Sequence, residues 1–372
     1  MKVLHVEAGK HLYGGALQVV FLLGGLREQG GAHILACPVG SAIAEAAQGV
    51  ATRVHEIEMR GDADVGMVGR LRRLIRQERP DLVHLHSRRG SDVWGAIAAR
   101  LEGVPVVLSR RVDNPEPRWL VPLKYRLYHR VITISEGIRE VLLRQGVPQD
   151  KVVCVHSAVD TQRYEPGCQD RAWFREEFGV REGELTLAMA AQFIPRKGHH
   201  TLIEALPAVL ATQPNVRVLL FGQGPKEGEI RNLAKQKQLE DRIVFAGFRR
   251  DLHRVLPCVD VMVHPASMEG LGVALLQAAA CGVPIVAGRA GGIPEIVRPG
   301  VNGELVSPED PAALAAALLP LLRDEMLRLR YGSAGRKLVV SEFSIPAMVA
   351  GNASVYQEVQ STAGDGLRRR PL

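Results

Sequence analysis

Short apolar runs alternate with segments of helical apolar spacing in the first half of the chain. Apolar runs of this length predict strands, and apolar residues three and four positions apart predict helices. The predicted strands are residues 3–6, 33–37, 82–86, 106–109 and 131–134, and the predicted helices are residues 16–29, 67–79 and 94–101. Strands separated by helices predict a parallel sheet with helices on both faces.

The same alternation restarts in the second half. The predicted strands are residues 185–190, 216–221, 242–245, 259–264 and 284–287, and the predicted helices are residues 202–211, 226–238, 251–257, 274–281 and 311–323. Between the halves, residues 156–167 form a polar segment without periodicity, which is typical of a linker. The predicted fold class is therefore α/β, with two doubly wound Rossmann-like domains facing one another across a cleft where ligands commonly bind.

The domain boundaries follow from this pattern. We predict an N-terminal domain over residues 1–165 and a C-terminal domain over residues 166–344. The last strong helical pattern, residues 345–360, is expected to pack back on the N-terminal domain. Residues 361–372 contain Gly, Pro and a basic triplet with little to bury, so we predict a disordered tail.

Composition is that of an ordinary globular protein, with 46% hydrophobic and 23% charged residues. No apolar run approaches the length of a transmembrane helix, and the chain enters a strand pattern without a signal-peptide cleavage region. We therefore predict a cytoplasmic protein. The net charge of +7 could attract nucleic acid, anionic lipid or anionic metabolites, but 5% aromatic residues offer few platforms for stacking bases, so nucleic acid is not an expected partner.

Metal sites and disulfides are not expected. The cysteines, Cys37, Cys154, Cys168, Cys258 and Cys281, include no C-x-x-C pair, which predicts reduced and mostly buried thiols. The histidine pairs at 84/86 and 199/200 lack the cysteine or carboxylate spacing of a zinc site. The D-x-D at residues 62–64 has a spacing that can hold a divalent cation, but it favours a polar loop because it is remote in sequence from the other candidate residues.

The segment 267–297, SMEGLGVALLQAAACGVPIVAGRAGGIPEIV, is the strongest candidate for a binding site. It follows a predicted buried strand and places a carboxylate before a Gly-x-Gly loop that opens a helix. Unpaired N–H groups and the positive end of the helix dipole bind phosphate at such a point. Because Glu269 beside the loop can accept hydrogen bonds from hydroxyls, the segment predicts a phosphorylated, polyhydroxylated ligand.

The same segment resembles the signature of the retaining glycosyltransferases of family four, which have the GT-B fold. The matching features are a Glu before Gly-Leu-Gly, a Cys-Gly-x-Pro turn, and Gly-Gly-x-x-Glu ending at Glu295. One position departs, because Gln277 stands where the family has a second Glu. The resemblance implies transfer of a sugar, with retention, from a nucleoside-diphosphate sugar to a hydroxyl acceptor, with no cofactor and no metal.

The resemblance also assigns roles to residues. Glu269 would bind the transferred sugar and Gln277 the ribose, while Lys197 with its neighbour Arg196 would neutralise the donor diphosphate. Gln192 stands where the family has an Arg. The remaining donor-binding residues that it implies are Gly14, Gly15, Gly222, Arg249, Gly270, Leu271, Gly272 and Val273, and the residues expected at the acceptor or in the cleft are His86, Arg110 and Arg111. Many relatives have a His where Arg111 stands, so that histidine's role does not carry over.

Partners and alternatives remain open at this stage. The acceptor expected is a glycan or a lipid-linked acceptor, and the resemblance together with the basic N-terminal domain suggests a role in bacterial lipopolysaccharide or envelope polysaccharide synthesis. The helix over residues 68–79 interleaves arginines with apolar residues, so it either contacts an anionic membrane from the cytoplasmic side or packs on the sheet with its arginines in water. The alternatives are a nucleotide-sugar-binding protein without transferase activity and a nucleotide-sugar epimerase on the same fold.

Overall fold

The computed structural model describes residues 1–12, 14–88 and 90–368, and it describes residues 363–368 by their backbone alone. The chain divides into two compact units. Unit 1 comprises Met1–Ala158 and Ile345–Leu372, and unit 2 comprises Val159–Ser344. The division falls between Ala158 and Val159 rather than after residue 165, and the residues from Ile345 onward belong to the first unit.

Unit 1 is built on a parallel sheet. Its strands are β1 (Lys2–Val6), β2 (Ala32–Pro38), β3 (Arg53–Ile57), β4 (Leu82–Leu85), β5 (Val106–Arg110), β6 (Arg130–Thr133) and β7 (Val152–Cys154). Its first helices are α1 (Gly14–Glu28), α2 (Ala42–Ala46), α3 (Met67–Glu78), α4 (Ser91–Leu101), α5 (Val121–Tyr125) and α6 (Glu136–Arg144). The strand order is β3-β2-β1-β4-β5-β6-β7. Both faces are covered by helices, so the central strands are mainly apolar, whereas the edge strand β3 is partly exposed.

Unit 2 repeats this architecture with strand order β10-β9-β8-β11-β12-β13. Its strands are β8 (Leu185–Ala190), β9 (Val216–Phe221), β10 (Ile243–Gly247), β11 (Val261–His264), β12 (Ile285–Gly288) and β13 (Gly303–Val306). Its helices are α7 (Arg171–Phe178), α8 (His199–Thr212), α9 (Glu227–Gln236), α10 (Leu252–Val255), α11 (Val273–Ala280), α12 (Ile293–Ile296), α13 (Pro311–Arg323) and α14 (Glu325–Glu342). The predicted α/β fold class with two doubly wound sheets is confirmed.

The last helix, α15 (Ile345–Arg368), packs within unit 1. Val349 lies against Gly25 of α1, and Tyr356 is fully buried in the same apolar cluster. The helix continues to Arg368 and so includes residues 361–368 of the predicted disordered tail. Extending a formed helix costs far less than starting one. Residues 369–372 of that prediction lie outside the described residues.

The helix α3 uses its apolar face inside unit 1. Met67, Leu71 and Ile75 are buried in the core beneath the sheet. Arg72 and Arg76 both donate to Glu102, so they are paired with an acidic neighbour. These contacts favour the packing interpretation of this helix, because its apolar residues are not available to a lipid surface. Among the described residues, no helix is both long and apolar enough to cross a membrane.

One pair of cysteines is bonded. Cys168, just before α7, forms a disulfide with Cys258, just before β11, with their Cα atoms 4.6 Å apart. The prediction that all cysteines are reduced thiols is therefore wrong for this pair. The partners are separated by 90 residues, and only the fold of unit 2 brings them together. Cys37 and Cys281 are buried, and burial raises the pKa of the Cys281 thiol to about 12.

Candidate active site

Two loops meet at the carboxyl edge of the unit 2 sheet, where the strand order reverses. From β8 the sheet runs outward to β9 and β10, and from the neighbouring β11 it runs to β12 and β13 on the other side. Open α/β sheets bind ligands outside the carboxyl ends of the strands at such a switch point. The loop after β8 carries Gln192, Arg196 and Lys197, and the loop after β11 carries Glu269.

The carboxylate of Glu269 joins these loops. Its Oε2 accepts a hydrogen bond from Lys197 Nζ at 2.6 Å and lies 2.9 Å from His264 Nε2 at the end of β11. Burial works to raise the pKa of Glu269, but the contacts with His264 and Lys197 outweigh it and lower the pKa to about 2. Glu269 is therefore ionised at neutral pH. Within the described residues its Oε1 makes no hydrogen bond to the protein, so that oxygen is available to a ligand hydroxyl.

The second Gly-Gly turn of the signature sets the position of this carboxylate. Gly291 has a φ of +51°, and a Cβ placed on it would lie 1.7 Å from the backbone oxygen of Glu269. The N–H of Gly292 donates to that same oxygen at 3.2 Å. On the other side, the N–H of Ser267 donates to the backbone oxygen of Arg196 at 2.9 Å. Backbone hydrogen bonds therefore join the two loops and the Gly-Gly turn.

The helix α11 begins immediately after the Glu269 loop. Gly272 precedes its first residue with a φ of +102°, a left-handed conformation that favours glycine. Leu271 is buried, so its contribution to a ligand site is its backbone, and the same holds for Gly270, which has no side chain. In the first turn the N–H of Leu275 donates to the oxygen of Gly272 at 2.9 Å, and the N–H groups of Val273 and Ala274 precede any intrahelical acceptor. This start of α11 lies beside Glu269 in the chain and offers the phosphate-binding geometry that the sequence predicts.

The remaining donor-side candidates of unit 2 differ in what surrounds them. Gln277 is half-buried on α11, and Gln192 is exposed after β8. Gly222 has a φ of +133° and packs so closely that a Cβ would lie 2.0 Å from the oxygen of Ala191. The ends of β8 and β9 therefore meet without an intervening side chain, which keeps the loop carrying Gln192 in place.

Arg249 is held by two carboxylates. Its Nε and one terminal nitrogen donate to Asp251 at 2.8 and 2.7 Å, and its other terminal nitrogen donates to Glu177 at 2.6 Å. The bidentate bond to Asp251 raises the pKa of the guanidinium further above its ordinary value. Every nitrogen of this guanidinium therefore has a partner, and the contacts join the loop after β10 to α7 rather than presenting a free cation to a ligand.

Unit 1 has its own switch point, between β1 and β4. Gly14 and Gly15 begin α1 after the β1 loop, and His86 follows β4 directly. A Cβ on Gly15 would lie 3.5 Å from Arg111 Cδ, while nothing lies within 4 Å of one on Gly14. The predicted residues Gly15, His86 and Arg111 therefore come together at the carboxyl edge of this sheet.

The neighbouring arginines 110 and 111 have different surroundings. Arg110 is 2% exposed and donates to Glu116 Oε1 at 2.9 Å and to backbone oxygens of its own loop. The guanidinium of Arg110 is therefore engaged within its own loop, and its expected place at the acceptor or in the cleft stays a prediction. Arg111 is half-buried, and its Nε is buried without a hydrogen-bond partner among the described residues. Its hydrogen bond from a terminal nitrogen to Ser157 Oγ is long at 3.5 Å.

A network of buried histidines in unit 1 was not predicted. His5 Nδ1 lies 2.9 Å from His86 Nε2, and His84 lies 2.6 Å from the Tyr356 hydroxyl and 2.8 Å from that of Ser109. Burial lowers the pKa of each of these histidines well below its ordinary value, so the rings are neutral. His84 and His86 are two residues apart at the end of one strand, and His5 becomes their neighbour only when β1 pairs with β4.

The same histidines could in principle hold a metal ion. One nitrogen of each of His5, His84 and His86 lies within 4.8 Å of the others. Neutral imidazoles are the form that ligates metals. However, both ring nitrogens of His5 and of His84 already have hydrogen-bond partners. Within the described residues, His5 and His84 are therefore satisfied by hydrogen bonds, whereas His86 Nδ1 is buried without one.

Each of the two units matches the profile of a known protein family. The family profile described as "Glycosyl transferases group 1" matches residues 170–338, and the profile described as "Glycosyltransferase Family 4" matches residues 13–163. Together these matches contain the carboxyl edges of both sheets.

Two curated relatives are similar to this chain in sequence. The chain is 31% identical over 271 residues to the GDP-mannose-dependent alpha-(1-6)-phosphatidylinositol monomannoside mannosyltransferase of Mycobacterium tuberculosis, an alignment that covers 68% of this chain and 69% of the relative. It is 34% identical over 196 residues to the GDP-mannose-dependent monoacylated alpha-(1-6)-phosphatidylinositol monomannoside mannosyltransferase of Corynebacterium glutamicum. That second alignment covers 50% of this chain and 51% of the relative, so the chain spans about half of that relative's length.

A solved structure matches nearly the whole chain. The Anabaena protein HepE, solved in complex with UDP and glucose, superposes with a TM-score of 0.83 at 21% identity, covering 96% of this chain and 99% of HepE. Similarity at this level of identity establishes the fold.

Proposed function

This chain belongs to the glycosyl transferases of group 1 and has the GT-B fold, as the sequence predicted, and from that premise we propose that it transfers a sugar from a nucleoside-diphosphate sugar to a hydroxyl acceptor. The observation that carries the proposal is the ionised Glu269, held by Lys197 and His264 beside the start of α11. A carboxylate that binds hydroxyls thus lies next to a cation and a helix start that bind phosphate.

The donor diphosphate would be stabilised electrostatically. Lys197 has three donors and uses one on Glu269, so it can keep that bond and still reach a phosphate oxygen. Arg196 is exposed on the same loop and would add a second cation, and the first turn of α11 would add N–H groups. Charge that develops on a leaving diphosphate is stabilised by donors already fixed in place, which lowers the barrier to transfer.

The transferred sugar would bind at Glu269 and the ribose at Gln277. The free Oε1 of Glu269 would accept hydrogen bonds from sugar hydroxyls, and its charge makes those bonds roughly twice as strong as neutral ones. The amide of Gln277 would bind the ribose hydroxyls without charge. The donor site would therefore rely more on Glu269 and Lys197 than on the ribose.

One experiment tests both which nucleotide sugar is the donor and whether its sugar is transferred. We expect release of nucleoside diphosphate from GDP-mannose or UDP-glucose, the first because the relatives above depend on GDP-mannose and the second because HepE was solved with UDP and glucose. The experiment measures that release across a panel of nucleotide sugars, with and without acceptor. Tight nucleotide binding with no turnover on any donor would identify a binding protein, and conversion of the sugar without transfer would identify an epimerase.

The acceptor proposed is a glycan or lipid-linked glycan of the bacterial envelope, reached from the cytoplasmic side of the membrane. The relatives named above act on phosphatidylinositol monomannosides, which supports an acceptor with a lipid anchor. We propose retention of the anomeric configuration, which proton NMR of the product reports directly. Vesicles with and without phosphatidylinositol mannoside provide the acceptor arms, and equal sugar transfer to both would exclude a lipid-linked mannoside as acceptor.

A further inference from the structure

The segment that leads into α5 exposes two large apolar side chains. Trp119 is 74% exposed and Leu123 is 58% exposed, and among the described residues no large apolar side chain is more exposed than Trp119. The N–H of Leu120 donates to the oxygen of Pro117, and the N–H of Lys124 donates to the oxygen of Leu120, each at 2.9 Å. The helical turn that starts at Pro117 therefore continues into α5, and Trp119 and Leu123 lie one turn apart on the same side. We call these two residues the apolar pair.

The opposite side of this segment is buried in unit 1. Val121 and Tyr125 are at most 2% exposed and pack in the core against the sheet. Lys124 is also buried, and its Nζ lies 2.6 Å from Asp92 on α4 and 2.7 Å from Glu116 in the preceding loop. Because a buried charge that loses its partner is costly, these ion pairs fix the orientation of α5. The apolar pair is therefore exposed because the fold of unit 1 holds it in that position.

The rest of the exposed side is basic. Arg118, Pro122 and Arg126 follow one another at four-residue intervals and are exposed. At about 100° per residue, these three residues and the apolar pair occupy one arc of about 140° around the helical turn. No carboxylate lies on this arc, and within the described residues neither arginine forms an ion pair. The exposed arc is therefore apolar and cationic.

Two further cations bond to the end of α5. Lys151 Nζ donates to the oxygen of Tyr125 at 2.8 Å, and a terminal nitrogen of Arg100 donates to the oxygen of Arg126 at 3.0 Å. Burial lowers the pKa of Lys151, and the charge of Arg100 lowers it further, so these cations repel one another. Asp150, which precedes Lys151 in the chain, offsets part of this repulsion. An anionic partner would relieve the remainder.

The segment begins at the carboxyl edge of the unit 1 sheet. The strand β5 ends at Arg110, and Arg111 follows it at the edge where Gly15 also lies. Trp119 belongs to the loop that leads from Arg111 to α5. A partner bound at Trp119 would therefore adjoin the edge at which the acceptor is expected.

We propose that the apolar pair, together with Arg118, Pro122 and Arg126, docks on the surface of an anionic lipid bilayer, and we call these five residues the Trp119 face. Tryptophan is enriched at membrane–water interfaces because its ring is apolar and its N–H is polar. Arginines beside it are attracted to anionic head groups. The apolar area is small, so the contact is reversible. The proposal rests on the proposed function only in naming a lipid-linked acceptor as the reason for this contact.

Vesicle binding tests the proposal without any donor or acceptor. The protein should co-sediment with phosphatidylcholine vesicles that contain phosphatidylglycerol. Its affinity for phosphatidylcholine alone should be lower by roughly tenfold or more, since each cation near an anionic surface contributes about fivefold. Absence of binding to the vesicles with phosphatidylglycerol would overturn the proposal.

The apolar pair is tested by Trp119→Ser combined with Leu123→Ser. Both side chains are exposed, so the double variant should unfold at the same urea concentration as the wild type. Its affinity for the anionic vesicles should fall by roughly tenfold or more, because the apolar area that enters the interface is lost. Undiminished vesicle binding by this folded variant would overturn the proposal.

The matched control for this variant is Met326→Ser combined with Leu329→Ser. These two apolar side chains of α14 are 72% and 59% exposed, close to the values of the apolar pair, but the exposed carboxylates of Asp324 and Glu325 accompany them. The control should leave vesicle binding unchanged. An equal loss of binding in the control would show that the Trp119 face is not the docking surface.

The basic part of the Trp119 face is tested by Arg118→Gln combined with Arg126→Gln. We expect the affinity for anionic vesicles to fall by roughly 25-fold, about fivefold for each arginine, with no change on phosphatidylcholine alone. Arg181→Gln combined with Arg323→Gln removes the same charge from exposed positions of unit 2 and should have little effect. Equal losses in the two variants would show that net charge alone attracts the vesicles and would overturn the assignment of this face.

Two further measurements separate the remaining outcomes. Sedimentation velocity reports self-association, and a dimer that Trp119→Ser with Leu123→Ser dissociates, without vesicle binding by the wild type, would identify a contact between two copies instead of a membrane contact. Sugar transfer separates this proposal from the proposed function. Vesicle binding through the Trp119 face without transfer from any donor would leave the docking surface standing and the proposed function refuted. Transfer to a water-soluble acceptor without vesicle binding would show the reverse.

Discussion

Lys197 and Glu269 form an ion pair of 2.6 Å between the loops that follow the neighbouring strands β8 and β11. Their side chains are 13% and 15% exposed, so the pair is largely removed from solvent. A buried pair of this kind is costly to break from one side, since the remaining charge loses its partner. The pair therefore ties the geometry of the site to the stability of unit 2.

Replacing Glu269 by Gln should remove sugar transfer while keeping the shape of the side chain. Loss of the charged acceptor weakens the hold on the sugar and leaves Lys197 without its counter-charge, so we expect kcat/KM to fall by roughly 10²–10³. The fall in kcat/KM is measured from the release of nucleoside diphosphate in the presence of acceptor. Glu182→Gln, at a carboxylate that is 93% exposed, is the matched control and should retain full activity. Activity within a few-fold of wild type in Glu269→Gln would contradict the assigned role.

The stability contributed by Glu269 should depend on pH. Its pKa is lowered from 4.5 to about 2 in the folded protein, so its contribution is present above about pH 4.5 and is lost as the pH falls toward 2. At 1.36 kcal/mol for each pKa unit, the contribution is about 3 kcal/mol. We expect the difference in unfolding free energy between wild type and Glu269→Gln to shrink by this order between pH 5 and pH 2, measured by urea unfolding. A difference that is constant over this range would show that the carboxylate is not held ionised by its neighbours.

The sequence predicted strands that are continuous apolar runs and missed a strand that is not one. The strands β8 and β9 were predicted with their observed bounds, because each is a continuous apolar run. The strand β3 is partly exposed at the sheet edge and reads Arg-Val-His-Glu-Ile, so it carries no such run. The helix α14 buries Gly332 and Gly335, which a search for an apolar stripe does not count. Gly332 is buried because it lies directly against the backbone of Gly282.

The sequence predicted those residues of the candidate site that belong to local motifs. Glu269 and Lys197 belong to recognisable loops, and the structure brings them into contact. His264 was missed as a partner because a histidine that ends an apolar strand has the same appearance as a core residue. The choice between Arg110 and Arg111 depends on which face of β5 each residue occupies. A pair of adjacent arginines contains no information on that choice.

Replacing Gln277 by Glu should be tolerated or should strengthen donor binding. The position is half-buried on α11, and a carboxylate would accept charge-assisted bonds from ribose hydroxyls. We expect an unchanged or lower Kd for the nucleotide by isothermal titration calorimetry. Gln236→Glu, at an exposed position of α9, adds the same charge elsewhere in unit 2 and should leave the Kd unchanged. Loss of nucleotide binding in Gln277→Glu alone would refute the ribose role.

Replacing Gly291, which contributes no side chain to the site, by Ala should disable the site. The new Cβ would lie 1.7 Å from the backbone oxygen of Glu269, at a φ of +51° that alanine rarely adopts, so the Glu269 loop must move. We expect loss of nucleotide binding and an unfolding free energy lower by more than about 1 kcal/mol.

The matched control for Gly291→Ala is Gly228→Ala. Gly228 lies within α9, nothing is within 4 Å of its Cβ position, and alanine favours the helix by roughly 0.8–1.0 kcal/mol over glycine. This control should therefore raise the unfolding free energy and leave nucleotide binding intact. If Gly291→Ala bound nucleotide as tightly as Gly228→Ala, the Gly-Gly turn would not be what positions Glu269, and the carboxylate would have to be held by Lys197 and His264 alone.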